Sequence, residues 1–371
     1  MTRAGRAVAA RALPVGVASA LAARTAYRAL RRYPPAGEQT WTRTNHRREP
    51  VTLLEGPAVA VGAITAGVLG AAVAGLHGQG QIPQSSERTV ASRPWFTLAV
   101  TGGGALGFGI LDDLAGSGKR RGLAGHLGAL RHGEVTTGTV KLAGLAATGL
   151  AGGLLLGGKR SDVIINSGLI AGGANLLNLF DLRPGRAIKV AVLSAGLIAA
   201  GGAATGPDRS AGLTAVAAPL GAGLALLPED LGELAMLGDA GANALGAMLG
   251  AAAAQALNRP ARTGLLAGIV ALTVASEKIS FTRVIENTPV LRRLDMLGRR
   301  PAPVGPAPAD VAPVVFPGRP DAAATASAQV DGVVVPPPPG RKTGRHRRVE
   351  SAGSRDRSIT RFFEFSLKSL T

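Results

Sequence analysis

The sequence contains no cysteine, which excludes disulfide bonds and thiolate metal sites and leaves the redox compartment undetermined. Aromatic residues make up only 3% of the chain, and acidic residues are far fewer than basic ones, 23 against 41. No nucleic-acid-binding motif accompanies this positive charge. Because the basic residues lie mainly beside apolar segments and in the C-terminal stretch, we expect anionic lipid as their partner and no nucleic acid.

Long apolar segments dominate what is present. Hydrophobic residues make up 46% of the 371 residues, and the chain has 53 glycines. Several apolar segments approach the roughly 20 residues that a helix needs to cross a bilayer, and small residues allow such helices to pack closely. We therefore predict an all-α, polytopic membrane bundle of about nine to ten spans. The predicted spans lie at about 8–24, 52–76, 94–111, 139–157, 163–180, 190–204, 211–227, 240–257 and 263–276.

The first apolar segment has two interpretations. Arg3, Arg6 and Arg11 accompany an apolar run that reaches Ala-Ser-Ala at 18–20, a pattern that also suits a cleaved secretory signal. The arginines that follow, between 24 and 32, outnumber those before it. By the positive-inside rule, this favours a retained first span with its N-terminus outside.

The same rule predicts the orientation of the later loops. Residues 28–48, 119–131 and 183–189 are rich in Lys and Arg, whereas 77–92 and 205–210 carry one basic residue each. The basic loops are therefore predicted to face the cytoplasm.

Four acids lie at the ends of predicted spans on this cytoplasmic side: Asp112, Asp113, Asp181 and Asp239. An acid at the centre of an inserted helix costs about 2.5 to 3.5 kcal/mol, so acids at helix ends that face one compartment suggest a shared site. The alternative is that each is a solvated loop charge.

The C-terminal part of the chain has a different composition. Residues 1–298 are predicted to form the transmembrane domain, and residues 299–371 a Pro-rich and then basic cytoplasmic tail that is disordered. Its end, 359–370, suits either an interfacial helix on anionic lipid or a floppy terminus.

The acidic motifs together resemble those of a known family. They are the pair Asp112-Asp113, then Asn175-Leu-Leu-Asn178-Leu-Phe-Asp181, then Leu237-Gly238-Asp239-Ala240-Gly241. In this order, and with the basic loop Thr44–Arg48 before the second span, residues 1–300 resemble the polyprenyl-phosphate N-acetylhexosamine-1-phosphate transferases. These include the enzyme that makes the first lipid-linked peptidoglycan precursor.

The resemblance implies an enzyme of the bacterial plasma membrane. Such enzymes transfer a sugar-1-phosphate, of the phospho-N-acetylhexosamine or phospho-MurNAc-pentapeptide type, from a UDP-sugar to polyprenyl phosphate at the cytoplasmic face. They need Mg²⁺, release UMP and serve cell-envelope polysaccharide or peptidoglycan synthesis. The implied partners are both substrates and the lipid bilayer, with a homodimer as one option.

The resemblance also implies roles for individual residues. Asp239 is the candidate Mg²⁺ ligand, and Asp112 and Asp113 are the candidate catalytic acids. Two adjacent carboxylates titrate as a coupled pair, so the base is not assigned to one of them. The remaining candidates would bind substrate, although a positive-inside role is the alternative for the lysine. They are Asn175, Asn178, Asp181 and Lys119.

Three departures from the family pattern separate this chain from a typical member. Pro184 replaces the second acid of the second motif, and Met236 stands where an aromatic residue is common. Residues 277–300 contain no histidine, although the family has a His-rich loop there. Arg283, with Arg292 and Arg293, is a candidate replacement as a phosphate contact, because a guanidinium binds phosphate through two hydrogen bonds. The alternative is that these arginines are inside-flanking charges.

These departures leave a second class of function open. The chain could be a catalytically weak relative that acts as a membrane scaffold or binds lipid phosphate during envelope assembly. A transporter is disfavoured, because the acids fall at the cytoplasmic edge and transporter sites lie near the bilayer midplane.

Overall fold

The structure is a computed structural model that describes residues 3–77, 85–115, 135–204 and 210–301. These residues are mostly α-helical, as predicted. The predicted disordered tail from 302 onward and Lys119 lie outside the described residues. The elements in chain order are α1 (Arg3–Arg32), α2 (Glu38–Trp41), β1 (Thr42–Thr44), β2 (Pro50–Thr52), α3 (Glu55–His77), α4 (Ser85–Ala115), α5 (Thr137–Leu156), α6 (Arg160–Phe180), α7 (Arg186–Ala203), α8 (Ser210–Ala215), α9 (Ala217–Leu231), α10 (Gly238–Ala256), α11 (Arg259–Ser276), α12 (Phe281–Asn287) and α13 (Pro289–Met296).

Helix α10 lies at the centre of the bundle. Every residue of α10 except Asp239 and Gln255 is buried. It packs mainly against α4 and α6 and also contacts α3, α7 and α8. The backbones of α6 and α10 approach closely at Gly173 and Gly246, where an added Cβ on Gly246 would lie 2.2 Å from the Gly173 carbonyl oxygen. Alanine and glycine are therefore what this packing requires.

Five helices within the described residues are long and apolar enough to cross a membrane. A sixth span results if α11 and α12, which bend by 94° at their junction, count as one. The chain thus has the helices of a multi-span membrane protein, but the predicted count of nine to ten spans is not confirmed. The five are Trp95–Ala115, Thr137–Leu156, Arg160–Phe180, Arg186–Ala203 and Gly212–Leu231.

The difference in count has a physical basis in two of the predicted spans. Helix α1 carries arginines along its length, which lower its hydropathy. Helix α10 carries Asp239, Asn243 and Gln255, and it meets other helices on almost every side. A helix surrounded by protein does not need a strongly apolar surface, because lipid does not contact it.

A short β-hairpin interrupts the all-α pattern before α3. Strands β1 and β2 are antiparallel, with Thr42 opposite Thr52. Thr52 also forms an isolated parallel bridge with Ala235 in the segment that leads into α10. Its carbonyl accepts a hydrogen bond from the Met236 N–H at 3.0 Å. The hairpin therefore fixes the loop that precedes Asp239.

Ion pairs attach the hairpin to the surrounding loops. Arg47 Nε lies 2.8 Å from the Glu233 carboxylate, which also accepts a hydrogen bond from the Asn45 amide. Arg300 pairs with Glu49 at 2.6 Å. The last described residues thus contact the hairpin at the end of the bundle that carries Asp239.

Candidate active site

Lys141 brings together acids from two of the sequence motifs. Its ammonium Nζ lies 3.0 Å from Asp112 Oδ2 and 2.5 Å from Asp239 Oδ2. Asp112 stands near the end of α4, Lys141 in the second turn of α5, and Asp239 in the first turn of α10. The lysine side chain is only 11% exposed. Its charge therefore compensates two carboxylates in a largely buried setting, where removing the ammonium would be costly.

Asp113 has a different environment from its neighbour. Its two carboxylate oxygens accept hydrogen bonds from the backbone N–H groups of Asp239, at 3.0 Å, and Ala240, at 2.9 Å. These N–H groups lie in the first turn of α10 and have no partner within that helix. The negative charge also complements the positive end of the helix dipole. Asp113 therefore holds α10 in place against the end of α4.

Two glycines allow α4 and α10 to approach this closely. Gly238 has a φ of +61°, and an added Cβ would lie 2.9 Å from the Leu53 side chain and 3.0 Å from Asp113 Oδ2. A Cβ on Gly109 would lie 2.5 Å from the Asp239 carbonyl oxygen. Side chains at these positions would separate Asp113 from the start of α10.

Asp181, from the second motif, lies beside the same helix start. Its carboxylate accepts a hydrogen bond from the backbone N–H of Gly238. Burial raises the pKa of the Asp181 carboxyl well above its ordinary value. The nearby charges of Asp230, Asp239 and Asp113 raise this pKa further, while the Gly238 hydrogen bond lowers it. The structure therefore brings the three acidic motifs to one end of the bundle.

Asn175 and Asn178 lie in the last two turns of α6, on the helix that ends at Asp181. Both are partly buried. The Asn178 carbonyl accepts the Asp181 N–H at 3.1 Å and so shapes the end of the helix. Within the described residues, neither side-chain amide hydrogen-bonds to any of the four acids. Their predicted role in substrate binding remains a prediction.

Arg283 lies outside this group of contacts. It is exposed in the first turn of α12, where its backbone N–H donates to the Ser280 hydroxyl at 3.4 Å. In the part of the chain that the structure describes, its guanidinium forms no ion pair with the four acids. Its proposed contact with substrate phosphate also remains a prediction.

A second group of buried acids lies behind Asp181. Glu55, at the start of α3, is fully buried, and both of its carboxylate oxygens lack a hydrogen-bond partner within the described residues. Asp230 is 2% exposed and accepts a hydrogen bond from the backbone N–H of Gly185. Asp230 and Asp181 are close enough to Glu55 to interact with it electrostatically. The sequence analysis missed this group.

The sequence analysis also missed two cations. Lys141 is the one charged residue in the apolar segment 137–156, and an isolated charge in a predicted span suggests function. That signal was available from the sequence. Arg43 is the other cation, and its guanidinium donates to the Asp113 carbonyl oxygen at 2.5 Å. It reaches α4 from β1, a contact that no local pattern predicts.

The described residues contain no group of three or more His, Cys, Asp or Glu side chains with the geometry to hold a metal ion. The carboxylates that do converge are a pair, Asp112 and Asp239, and a cationic atom already lies between them.

No protein-family model matches the chain, and no curated protein matches it.

Proposed function

We propose that this protein transfers a sugar-1-phosphate from a UDP-sugar to polyprenyl phosphate, at the cytoplasmic face of a bacterial plasma membrane. The main support is the convergence of Asp112 and Asp239 on the Lys141 ammonium. These acids come from separate motifs on different helices, and each lies beside a helix end. Such an arrangement suits the transfer of phosphoryl groups, in which charge must be positioned and compensated.

The acid pair fits a magnesium ion. One cationic atom already lies within 3.0 Å of both carboxylates, so their spacing allows a single cation to contact both. Mg²⁺ usually takes one or two protein carboxylates and completes its shell with water and substrate phosphates. Asp112 and Asp239 would hold the ion. When bound, the ion would neutralise part of the negative charge of the phosphates.

Side chains of the protein would position the two substrates for the transfer. The oxygen of the lipid phosphate attacks the phosphorus attached to the sugar, the new P–O–P bond forms, and UMP leaves with the electrons of the broken P–O bond. Asp112, beside the ion, would orient the attacking oxygen of the lipid phosphate. Lys141 would contact a phosphate oxygen through the same ammonium. Asp113 would keep α10, and with it Asp239, in position.

An apolar cavity supports a lipid substrate. It has a volume of about 270 Å³ and lies between α6, α7, α10 and α11. Helix α6 ends beside Asp181, and helix α10 begins beside Asp239. The cavity therefore lies between two helices that carry these acids at their ends. Ser194 is the one polar side chain in its lining, and the apolar remainder would accept a segment of a polyprenyl chain. Its larger apolar residues include Leu176, Val190, Leu197, Leu249, Leu265 and Ile269.

The scaffold alternative has support of its own. Pro184 stands where an acid is expected, and residues 277–300 contain no histidine. A protein with this sequence could bind a lipid phosphate through Lys141 without completing the transfer. The two functions differ in one observable, the release of UMP.

The test measures UMP released by purified protein in detergent with undecaprenyl phosphate, Mg²⁺ and a panel of UDP-N-acetylhexosamines, including UDP-MurNAc-pentapeptide. We expect Mg²⁺-dependent release with one donor and its loss in Asp112→Asn and in Asp239→Asn. Asp162→Asn is the matched control, because Asp162 also pairs with a partly buried cation, Arg262, but lies at the opposite end of α6. Folded protein that binds lipid phosphate but releases no UMP with any donor would favour the scaffold.

A further inference from the structure

The last two helices turn away from the preceding span. Helix α12 bends by 94° from the axis of α11 after a break of four residues or fewer. If α11 crosses the bilayer, α12 runs nearly parallel to the membrane plane. Phe281 of α12 stacks on Phe180 at the end of α6, with 5.1 Å between ring centroids. The turn therefore occurs at the same end of the bundle as Asp181.

One side of α13 is fixed to the bundle by charged groups. Arg186, at the start of α7, donates to both carboxylate oxygens of Asp295, at 2.7 and 3.1 Å. Lys189 Nζ donates to the Asp295 carbonyl oxygen at 2.6 Å, and Arg299 contacts the same carboxylate at 2.7 Å. Asp295 is buried, so it marks the inward side of α13.

The opposite side of α13 is apolar and exposed. Val290 is 65% exposed, Leu294 52% and Leu297, at the end of the helix, 69%. The spacing i, i+4, i+7 places these three on one face. No described residue covers this face, and such an unpartnered apolar strip is typical of an interaction surface.

Two arginines accompany this apolar face. Arg292 and Arg293 are exposed, and neither guanidinium forms an ion pair within the described residues. Around the helix axis, Arg293 lies next to Val290 and Leu297. Arg292 lies farther round, between Arg293 and the inward side that carries Asp295. A helix that is apolar on one face and bordered there by an arginine suits the boundary between acyl chains and anionic headgroups.

We propose that α12 and α13 form an interfacial lipid-binding element, in which Val290, Leu294 and Leu297 insert among acyl chains and Arg293 binds anionic headgroups. A second copy of the chain fits less well. In a two-fold symmetric contact through this face, the arginines of one copy would approach those of the other. This inference concerns membrane contact and does not depend on the proposed transfer reaction.

The absence of cysteine allows a direct test with single spin labels. The test position is Leu294→Cys. Leu193→Cys, on the exposed face of α7, is the control for lipid, and Gln39→Cys, exposed in α2, is the control for water. Each labelled protein is placed in nanodiscs of phosphatidylglycerol or of phosphatidylcholine. Accessibility to oxygen and to a water-soluble nickel chelate is then measured.

In phosphatidylglycerol, we expect the label at Leu294 to resemble that at Leu193, with high access for oxygen and low access for the chelate. The exposed substitution Arg293→Gln, or a change to phosphatidylcholine, should shift it toward the Gln39 control. Chelate access equal to that at Gln39 in phosphatidylglycerol would overturn the proposal. Shielding from both reagents would also overturn it and indicate a protein contact. Equal insertion in the two lipids would overturn the role of the anionic headgroup.

Discussion

The Asp113 carboxylate accepts the backbone N–H of Asp239 at 3.0 Å, so an acid of the first motif fixes the helix that begins at the third motif. Asp112, its neighbour in sequence, instead contacts Lys141. The two members of the acid pair therefore have separate environments. Asp113 positions α10, and we propose that Asp112 is the member that takes part in the transfer.

This division predicts different effects for the two Asn substitutions. Asp113→Asn keeps one acceptor oxygen but loses the other and the negative charge at the helix start, so we expect a loss of about 1 kcal/mol in unfolding free energy. Asp112→Asn should abolish turnover with a smaller effect on unfolding. Unfolding in detergent and UMP release are measured on both variants. Equal unfolding free energies for the two would contradict the division.

Lys141→Met should destabilise the protein and make its thermal stability depend on divalent cations. Removing the ammonium leaves Asp112 and Asp239 facing each other without compensation, at a cost of about 3 kcal/mol. If one cation can contact both acids, Mg²⁺ should raise the thermal midpoint of Lys141→Met more than that of the wild type. Thermal unfolding with and without Mg²⁺ measures this difference. An unchanged midpoint would argue against the acid pair as the ion site.

The order of the acidic motifs predicted the common location of their acids, because alternating spans return every second loop to one side of the membrane. The sequence could not distinguish Asp112 from Asp113. Adjacent residues on a helix point in directions about 100° apart, and what each meets depends on α5 and α10, far along the chain. Lys141, by contrast, could have been predicted as an isolated charge within an apolar segment.

Gly238→Ala should disturb the start of α10. Its φ of +61° costs a residue with a side chain about 1 to 2 kcal/mol, and the new Cβ would crowd Leu53 and Asp113. We expect lower unfolding free energy and lower turnover together. Gly103→Ala in α4 is the matched control, because nothing lies within 4 Å of its added Cβ. Similar losses in both variants would show that the effect is not specific to this contact.

Low pH should release α13 from α7. Burial raises the pKa of Asp295, but the hydrogen bonds from Arg186 and the charges of Arg186 and Arg299 outweigh it and hold the pKa below its ordinary value. The contribution of a carboxylate with a depressed pKa is present above its unfolded value, about 3.9, and is lost as pH falls through the folded value. Protection of the α13 amides from hydrogen exchange, relative to their intrinsic rates at each pH, should therefore fall as the pH drops below about 3.9.

Asp295→Asn is the control for this pH dependence. It lacks the titrating group, so its α13 should exchange faster at pH 6 and change less on acidification. An equal loss of protection in Asp295→Asn and the wild type would assign the effect to other groups.

The predicted count of nine to ten spans is not confirmed, and apolar composition does not distinguish a helix in lipid from a helix in protein. The segment predicted as 240–257 became α10, which other helices surround. The hairpin was missed for a different reason. Strands β1 and β2 have three residues each, and the second is fixed by a bridge from Thr52 to Ala235, far along the chain.

The most direct test of the central claim is mass spectrometry of the lipid product from purified protein with undecaprenyl phosphate, Mg²⁺ and the UDP-sugar panel. If Asp112 and Asp239 act together in phosphoryl transfer, the wild type and Asp162→Asn form an undecaprenyl diphosphate sugar, and Asp112→Asn and Asp239→Asn form none. Product formed by Asp239→Asn at the wild-type rate would contradict the account.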